Sequence, residues 1–255
     1  MAAMAHASLV RFGSIASLAA LVAGCETRGA PPTPPAPPAT AMPPAMPAST
    51  AATPAPAAVT APDASVGTIL CFDDEPEGAA PTTLEPVLGD WSIARAGDAK
   101  GVMVDGSRLK NGSVPASAFY PLALARSESP NGDMRLSVRF YPLAGAIDQA
   151  AGLAFGVAPD GSYTGVRANA LEDNLLFFKV VKGKRTVVET VSGVPTPTRT
   201  WHTLELELRG AMVRVSVDGT KRLEKRLDPI PRGRVGLWSK ADSKVLFDDL
   251  EITPL

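Results

Sequence analysis

The sequence predicts an all-β protein, a two-sheet antiparallel β-sandwich of jelly-roll type that follows a disordered N-terminal region. Three observations carry this prediction. From Asp63 onward, apolar and polar residues alternate with period two in one short run after another, and no stretch repeats at helical spacing. Turn signals such as Asp218-Gly219 and Lys182-Gly183 punctuate those runs at short intervals. Composition also changes abruptly near Pro62, which confines folding to one domain, residues 63–255.

The N-terminal region reads as an address and a stalk. Met1 to Arg11 holds one positive side chain, and Phe12 to Gly24 is an apolar run of about thirteen residues. Such a run is too short to span a bilayer as a helix and has the form of a signal-peptide core, so 1–24 is read as a leader. It ends Leu21-Val22-Ala23-Gly24-Cys25, which resembles the bacterial lipobox. That resemblance implies lipidation of Cys25 and a mature chain starting there, held to a membrane by its lipid; the alternative is an ordinary leader with an incidental cysteine. Glu26, where an aspartate marks inner-membrane retention, implies the outer membrane in a diderm cell and a cell-envelope location in any case. Residues 25–62 then form a tether: Ala30 to Pro62 has no charged residue and twelve prolines. Without apolar bulk to bury, it remains disordered and extended, with a reach on the order of 100 Å at about 3.1 Å per residue.

Charge and cysteine content exclude whole classes of function. From Asp63 on there are 23 basic and 25 acidic residues, and no basic patch argues for nucleic acid. Two cysteines, Cys25 and Cys71, rule out a disulfide framework as the basis of the fold. Nothing in the sequence requires a second copy, and a monomer is expected.

The strands follow in order. Val66 to Phe72 opens the domain, with Cys71 read as a small buried hydrophobe. Trp91 to Ala94, Gly101 to Val104 and Ala116 to Ala125 are short strands. In Asp133 to Leu143, Met134, Leu136, Val138 and Phe140 face one side, and Arg135, Ser137, Arg139 and Tyr141 the other. Gln149 to Ala158, Tyr163 to Leu171, Leu175 to Val181 and Thr186 to Val191 continue the pattern. Leu204, Leu206 and Leu208 alternate with glutamates, and Val213, Val215 and Val217 lead into the Asp218-Gly219 hairpin. Arg232 to Ile252 reads as the closing pair of strands. His202, the one histidine after Asp63, is assigned a structural place at the edge of the core, because one imidazole makes neither a zinc cluster nor a triad.

Several blocks carry a family resemblance: Asp148 to Leu153, Tyr163 to Asn174, Trp201-His202-Thr203-Leu204, Gly236 to Ser243 and Phe247-Asp248-Asp249-Leu250. Over roughly 69–253 the chain resembles bacterial concanavalin A-like (laminin-G-like) domains, grouped with family 16 glycoside hydrolases and 3-keto-disaccharide hydrolases. The resemblance implies a jelly roll and does not by itself imply an activity. The Glu-x-Asp-x-Glu strand of the family 16 enzymes is absent, since Thr203 and Arg209 flank Glu205 and Glu207, and no catalytic residue is assigned. In the glycosidases of this fold an aspartate of the last strand helps to hold a structural calcium. The resemblance makes Asp248 that residue, with Asp74 and Glu75 as companions. Asp248 also shares parity with Leu250 and Ile252, which predicts a carboxylate at the end of a core-facing row. Backbone donors or a buried arginine would satisfy it equally, and no cofactor is otherwise required.

Outward-facing side chains supply the candidate ligand surface: Arg139, Tyr141, Tyr163, Arg167, Asn169, Lys179, Trp238 and Lys240. Planar donors and aromatic faces suit carbohydrate, while a solvated face with cross-strand pairs explains the same residues without a ligand. The leading reading is a lipid-anchored envelope protein that binds carbohydrate or another envelope polymer without catalysis. An enzyme of 3-keto-disaccharide hydrolase type and an envelope scaffold are the alternatives.

Overall fold

A computed structural model describes residues 67–108 and 118–255; the leader, Cys25 and the tether lie outside the described residues. The described residues fall within one compact unit. In chain order its strands are β1 (Thr68–Leu70), β2 (Leu84–Leu88), β3 (Trp91–Ala96), β4 (Ala99–Asp105), β5 (Leu122–Ala125), β6 (Met134–Ala144), β7 (Ala150–Val157) and β8 (Tyr163–Asn169). They continue as β9 (Asn174–Val181), β10 (Lys184–Ser192), β11 (His202–Arg209), β12 (Met212–Val217), β13 (Thr220–Arg226), β14 (Arg234–Ser239) and β15 (Lys244–Pro254). Sheet A runs β13-β12-β11-β6-β15-β4-β3, with β1 also paired to β15, and sheet B runs β10-β9-β8-β7-β14-β5-β2. The described strand pairs are antiparallel, so the predicted all-β sandwich is the observed fold.

Period-two patterning explains the layers. Met134, Leu136, Val138 and Phe140 of β6, Leu204, Leu206 and Leu208 of β11 and three valines of β12 meet Leu153, Phe155, Val166, Phe177, Val235 and Leu237 of sheet B in one core. Full burial of each such side chain is worth about 1.5–3 kcal/mol, and the interdigitated pair of faces fixes the register. Asp218-Gly219 and Lys182-Gly183 turn with positive φ at both residues, as the sequence requires. His202 is buried at the core edge. Its Nδ1 lies 2.8 Å from Asp218 Oδ2 and its Nε2 3.1 Å from the Pro197 carbonyl.

Four details differ from the sequence reading. Strand β2 carries Pro86 and β13 carries four basic residues among seven, so neither looks apolar enough for a strand; both are sheet edges, where one backbone side is left free. Among the described residues of the run predicted from Ala116, a strand forms at Leu122–Ala125. Cys71 lies past the end of β1 and is half-buried, because Phe72 takes the core position. The two runs of Arg232 to Ile252 do not pair: β14 belongs to sheet B and β15 to sheet A, and residues 240–243 cross between the sheets.

The parity argument for Asp248 is also overturned. Val245 and Phe247 face the core, and so do Leu250 and Ile252, which is inconsistent with an unbroken alternation. The register shifts between Asp248 and Glu251, and Asp249 has φ 48°. This bulge spends one extra residue, so Asp248 shares the outer face with Leu246 instead of the core face with Leu250. Strand β4 pairs with β15 before the bulge and β1 after it. Gly101 permits the close approach there, since a Cβ on it would lie 2.3 Å from the Phe247 carbonyl oxygen.

Candidate functional site

Five of the eight candidate ligand residues converge on the outer face of sheet B. Trp238 pairs with Gly152, Gly152 with Arg167 and Arg167 with Leu176, so the indole and the guanidinium flank a glycine that leaves them room. A Cβ on Gly152 would sit 3.0 Å from Arg167 Cβ and 3.1 Å from the indole. Trp238 Nε1 donates to the Tyr163 hydroxyl at 2.9 Å, its ring stacks on Tyr120, and Phe178 packs against it at 4.7 Å between centroids. Arg185, from the edge strand β10, lies 5.1 Å over Tyr120. Burial pushes the Tyr163 hydroxyl up to about 12.

A polar network closes the end of this face. Lys240 Nζ lies 2.6 Å from Asp148 Oδ2, and Asn169 Nδ2 donates to Asp148 Oδ1 at 2.8 Å. Arg167 donates to Glu172 and Asn174, both at 2.6 Å. Burial favours deprotonation of Arg167, a tendency countered by Glu172. Trp238 and Asn169 have no exposed surface, Arg167 has 1% and Lys240 9%. As the chain stands, this face is closed and largely satisfied from within. Lys179 is not part of it: paired with Thr164, it has the opposite parity to Phe178 and Val180 and is exposed.

Arg139 and Tyr141 project from the outer face of sheet A instead. Arg139 lies 4.5 Å over the ring of Trp201, which in turn packs 5.3 Å from Tyr141. Both aromatic side chains are half-buried, and they join Leu246, Met103 and Ala99 in an apolar patch. Beside this patch lies an open groove of about 440 Å³, lined by Glu77, Asp90, Ser92, Ala94, Arg95, Met103, Asp105 and Lys244. Ladder pairing puts Ser92, Met103, Leu246 and Tyr141 in one row across four strands, linking the groove to the aromatic pair. Glu77 pairs with Arg95 at 2.9 Å and Asp105 with Lys244 at 3.4 Å. Although burial acts to raise its pKa, Asp105 is held below the ordinary range by the Ser107 hydroxyl and Lys244.

Asp248 lies on this same face and is 6% exposed. Its Oδ2 is 3.7 Å from Arg139, which also donates to Asp249 Oδ2 at 3.0 Å, while its Oδ1 has no hydrogen-bond partner. Burial, reinforced by Asp249 and Asp73, pushes Asp248 up to about 6. The calcium set is not assembled here: Glu75 accepts from the Thr82 amide at 2.7 Å, Asp74 is exposed, and the positive neighbour of Asp248 is Arg139. Among the described residues no group of three or more histidine, cysteine or acidic side chains is arranged to hold a metal. Sequence reasoning missed the groove itself. Ser92, Asp105 and Lys244 sit at the ends or outer faces of strands, and only the order β15-β4-β3 brings them together.

No protein-family profile matches this chain, and no curated protein does. Solved structures do. A carbohydrate binding module, CBM66, from Bacillus subtilis superposes with a TM-score of 0.54 at 18% identity, covering 70% of this chain and all of that one. A protein of unknown function with a galectin-like fold, also from Bacillus subtilis, matches at 14% identity and a TM-score of 0.47, over 70% of this chain and 97% of its own. A native glycosidic hydrolase matches at 11% identity and 0.49, over 74% and 96%. At 18% identity the likeness to the first of these bears on the two-sheet sandwich fold alone.

Proposed function

We propose that this chain is a carbohydrate-binding jelly roll held at the cell envelope by lipid on Cys25, and that the groove on sheet A is its binding site. The observation that carries the reading is the open groove of about 440 Å³, a size suited to a small saccharide, with side chains of both charge signs along its wall. Carboxylates such as Asp105 accept from sugar hydroxyls and Lys244 donates to them. The Tyr141–Trp201 patch offers C–H faces a surface to stack on. The fold shared with a carbohydrate binding module supports the assignment. Binding without chemistry fits Asp105, which is held ionised and so is a poor proton donor near neutrality.

The test is a glycan array followed by calorimetry. Lys244→Ala and Trp201→Ala are each expected to weaken the best ligand about tenfold, the loss of roughly one charge-assisted hydrogen bond or one stacking contact. Tyr163→Phe, on the closed face, is expected to leave affinity unchanged. Absence of binding across neutral, acidic and basic oligosaccharides would remove the reading. For the anchor, Cys25→Ala should move the protein from the membrane to the soluble fraction. A catalytic reading rests on one observation, the Asp248 carboxyl at about 6, which is the range of a general acid. It predicts turnover of a glycoside, 3-keto or otherwise, that Asp248→Asn abolishes.

A further inference from the structure

The tip of the β9–β10 hairpin is basic and lacks a matching set of carboxylates. Lys179, Val181, Lys182 and Lys184 lie around its Lys182-Gly183 turn, and all four are exposed, Val181 by 55%. No ion pair among the described residues involves any of the three lysines. Arg185, the next cation along the strand, turns away to lie over Tyr120 and Phe178. Asp160 is within electrostatic reach of Lys182; the Ser162 amide first, and Lys182 after it, hold that carboxyl below the ordinary range. We propose that this tip docks on the anionic headgroup surface of the membrane that holds the chain. Lys179, Lys182 and Lys184 meet the headgroups, and Val181 reaches their boundary with the acyl chains. The proposal rests on the lipid anchor at Cys25 and is independent of the carbohydrate reading.

Topology puts the tip at the end of the sandwich where the tether joins. Lys240 and Asn169 both meet Asp148, so the Asn169–Asn174 end of β8 and β9 lies with the Lys244 end of β15. Val181 is at the opposite end of β9. Ile252, toward the opposite end of β15, pairs with Thr68, and Gly67 lies against Thr253. The tether therefore enters at the lysine end, about 25 Å along the strands from Lys244 of the groove. Charge follows the same axis. The turn at one end of β9 carries Glu172 and Asp173, both exposed, and the turn at the other carries Lys182 and Lys184. An anionic surface attracts the second turn and repels the first. Each lysine at such a surface strengthens binding about fivefold, and the attraction acts within a Debye length of about 10 Å. Contacts of this strength would not retain a free protein, but the tether makes docking intramolecular. Docked in this way, the sandwich holds Asp105 and Lys244 of the groove away from the lipid, facing polymer in the aqueous envelope.

The test uses the whole lipidated protein in vesicles whose acyl chains carry bromine, which quenches a nearby indole. One set is rich in phosphatidylglycerol and the other is phosphatidylcholine alone. Val181→Trp reports on the tip and Leu171→Trp, also exposed, on the far end, each read against the parent protein as baseline. Quenching is expected at 181 and not at 171 in the anionic vesicles, and at neither position in the neutral ones. Adding Lys182→Gln and Lys184→Gln to the Val181→Trp protein should lower its ratio of docked to undocked molecules about 30-fold. Salt at about 0.5 M should likewise release the tip, because it shortens the reach of the surface charge. Equal quenching at the two positions, equal quenching in the two kinds of vesicle, or quenching that survives loss of both lysines would overturn the docking. So would a protein that floats with anionic vesicles and shows no quenching at 181, and each of these results leaves the anchor standing. A whole protein that floats with neither kind of vesicle would overturn both.

Discussion

Replacing Asp248 by Asn should stabilise the ligand-free protein, and by an amount that depends on pH in a defined direction. The native carboxyl is pushed up to about 6 from an ordinary 3.8. Below the lower value both native and unfolded chains hold the proton, and the charge has no effect. Between the two values the native chain keeps a proton that the unfolded chain gives up, so stability falls as pH rises. Above about 6 the full cost is present. A displacement of this size corresponds to about 3 kcal/mol of lost stability. Asparagine keeps the shape and removes the charge, and Arg139 retains Asp249 as a partner. Asp105, Glu172 and Asp242 are shifted the other way, so their contribution is present above the ordinary carboxylate range and is lost as pH falls. They are common to both proteins and cancel in the difference. Urea unfolding of both proteins from pH 3.5 to 8 should give matching stabilities near pH 3.5 and a gap that opens to about 3 kcal/mol by pH 7. That gap corresponds to a melting temperature about 6–12 °C higher for the substituted protein. A constant difference across this range, or a substituted protein that is less stable at pH 7, would show that Asp248 ionises in place without penalty.

Three further outcomes follow from the packing. Gly152→Ala puts a Cβ 2.5 Å from the Val166 carbonyl oxygen and about 3 Å from Arg167 and Trp238, and it should cost about 1–3 kcal/mol in thermal denaturation with a shift in Trp emission. Asp148→Ala leaves Lys240 buried without its 2.6 Å partner, and a loss of about 3–5 kcal/mol is expected, more than for Lys179→Ala, where the side chain is exposed. Deleting Asp249 removes the extra residue of the bulge and puts Val245, Phe247, Leu250 and Ile252 in one unbroken alternation on the core face. Cooperative unfolding should persist, and a deletion protein without a sharp native-like transition would contradict the assigned register.

The fold was legible because it depends on side chains that advertise their face. Leu204, Leu206 and Leu208, or Met134 through Phe140, can be placed by counting in twos, and Asp218-Gly219 announces its turn. What counting in twos cannot see is a break in the count. Between Phe247 and Leu250 the apolar spacing changes from two to three, and the sequence has only Asp248-Asp249 to mark it. Aspartate tolerates positive φ better than most residues, so the doublet was a signal for a bulge. Reading it as regular strand carried Asp248 to the wrong side of the sheet. Strands β2 and β13 were hidden for the opposite reason: edge strands tolerate proline and charge, so their composition resembles that of loops.

The candidate site shows a deeper asymmetry. Aromatic and charged residues were sought as marks of a ligand face, and on sheet B they do converge, but Trp238 finds Tyr163 and Tyr120, Arg167 finds Glu172, and Lys240 finds Asp148. Large polar side chains that meet one another on a sheet fill the space a ligand would need. Sheet A keeps its groove where the small Ser92 and Ala94 line it between the Glu77–Arg95 and Asp105–Lys244 pairs. An open cleft in such a sandwich is therefore specified as much by small outward residues as by its chemistry-bearing ones. Filling the Ala94 position tests this without touching a charge: Ala94→Leu should abolish oligosaccharide binding while leaving the closed face of sheet B, and its Trp238 emission, unchanged.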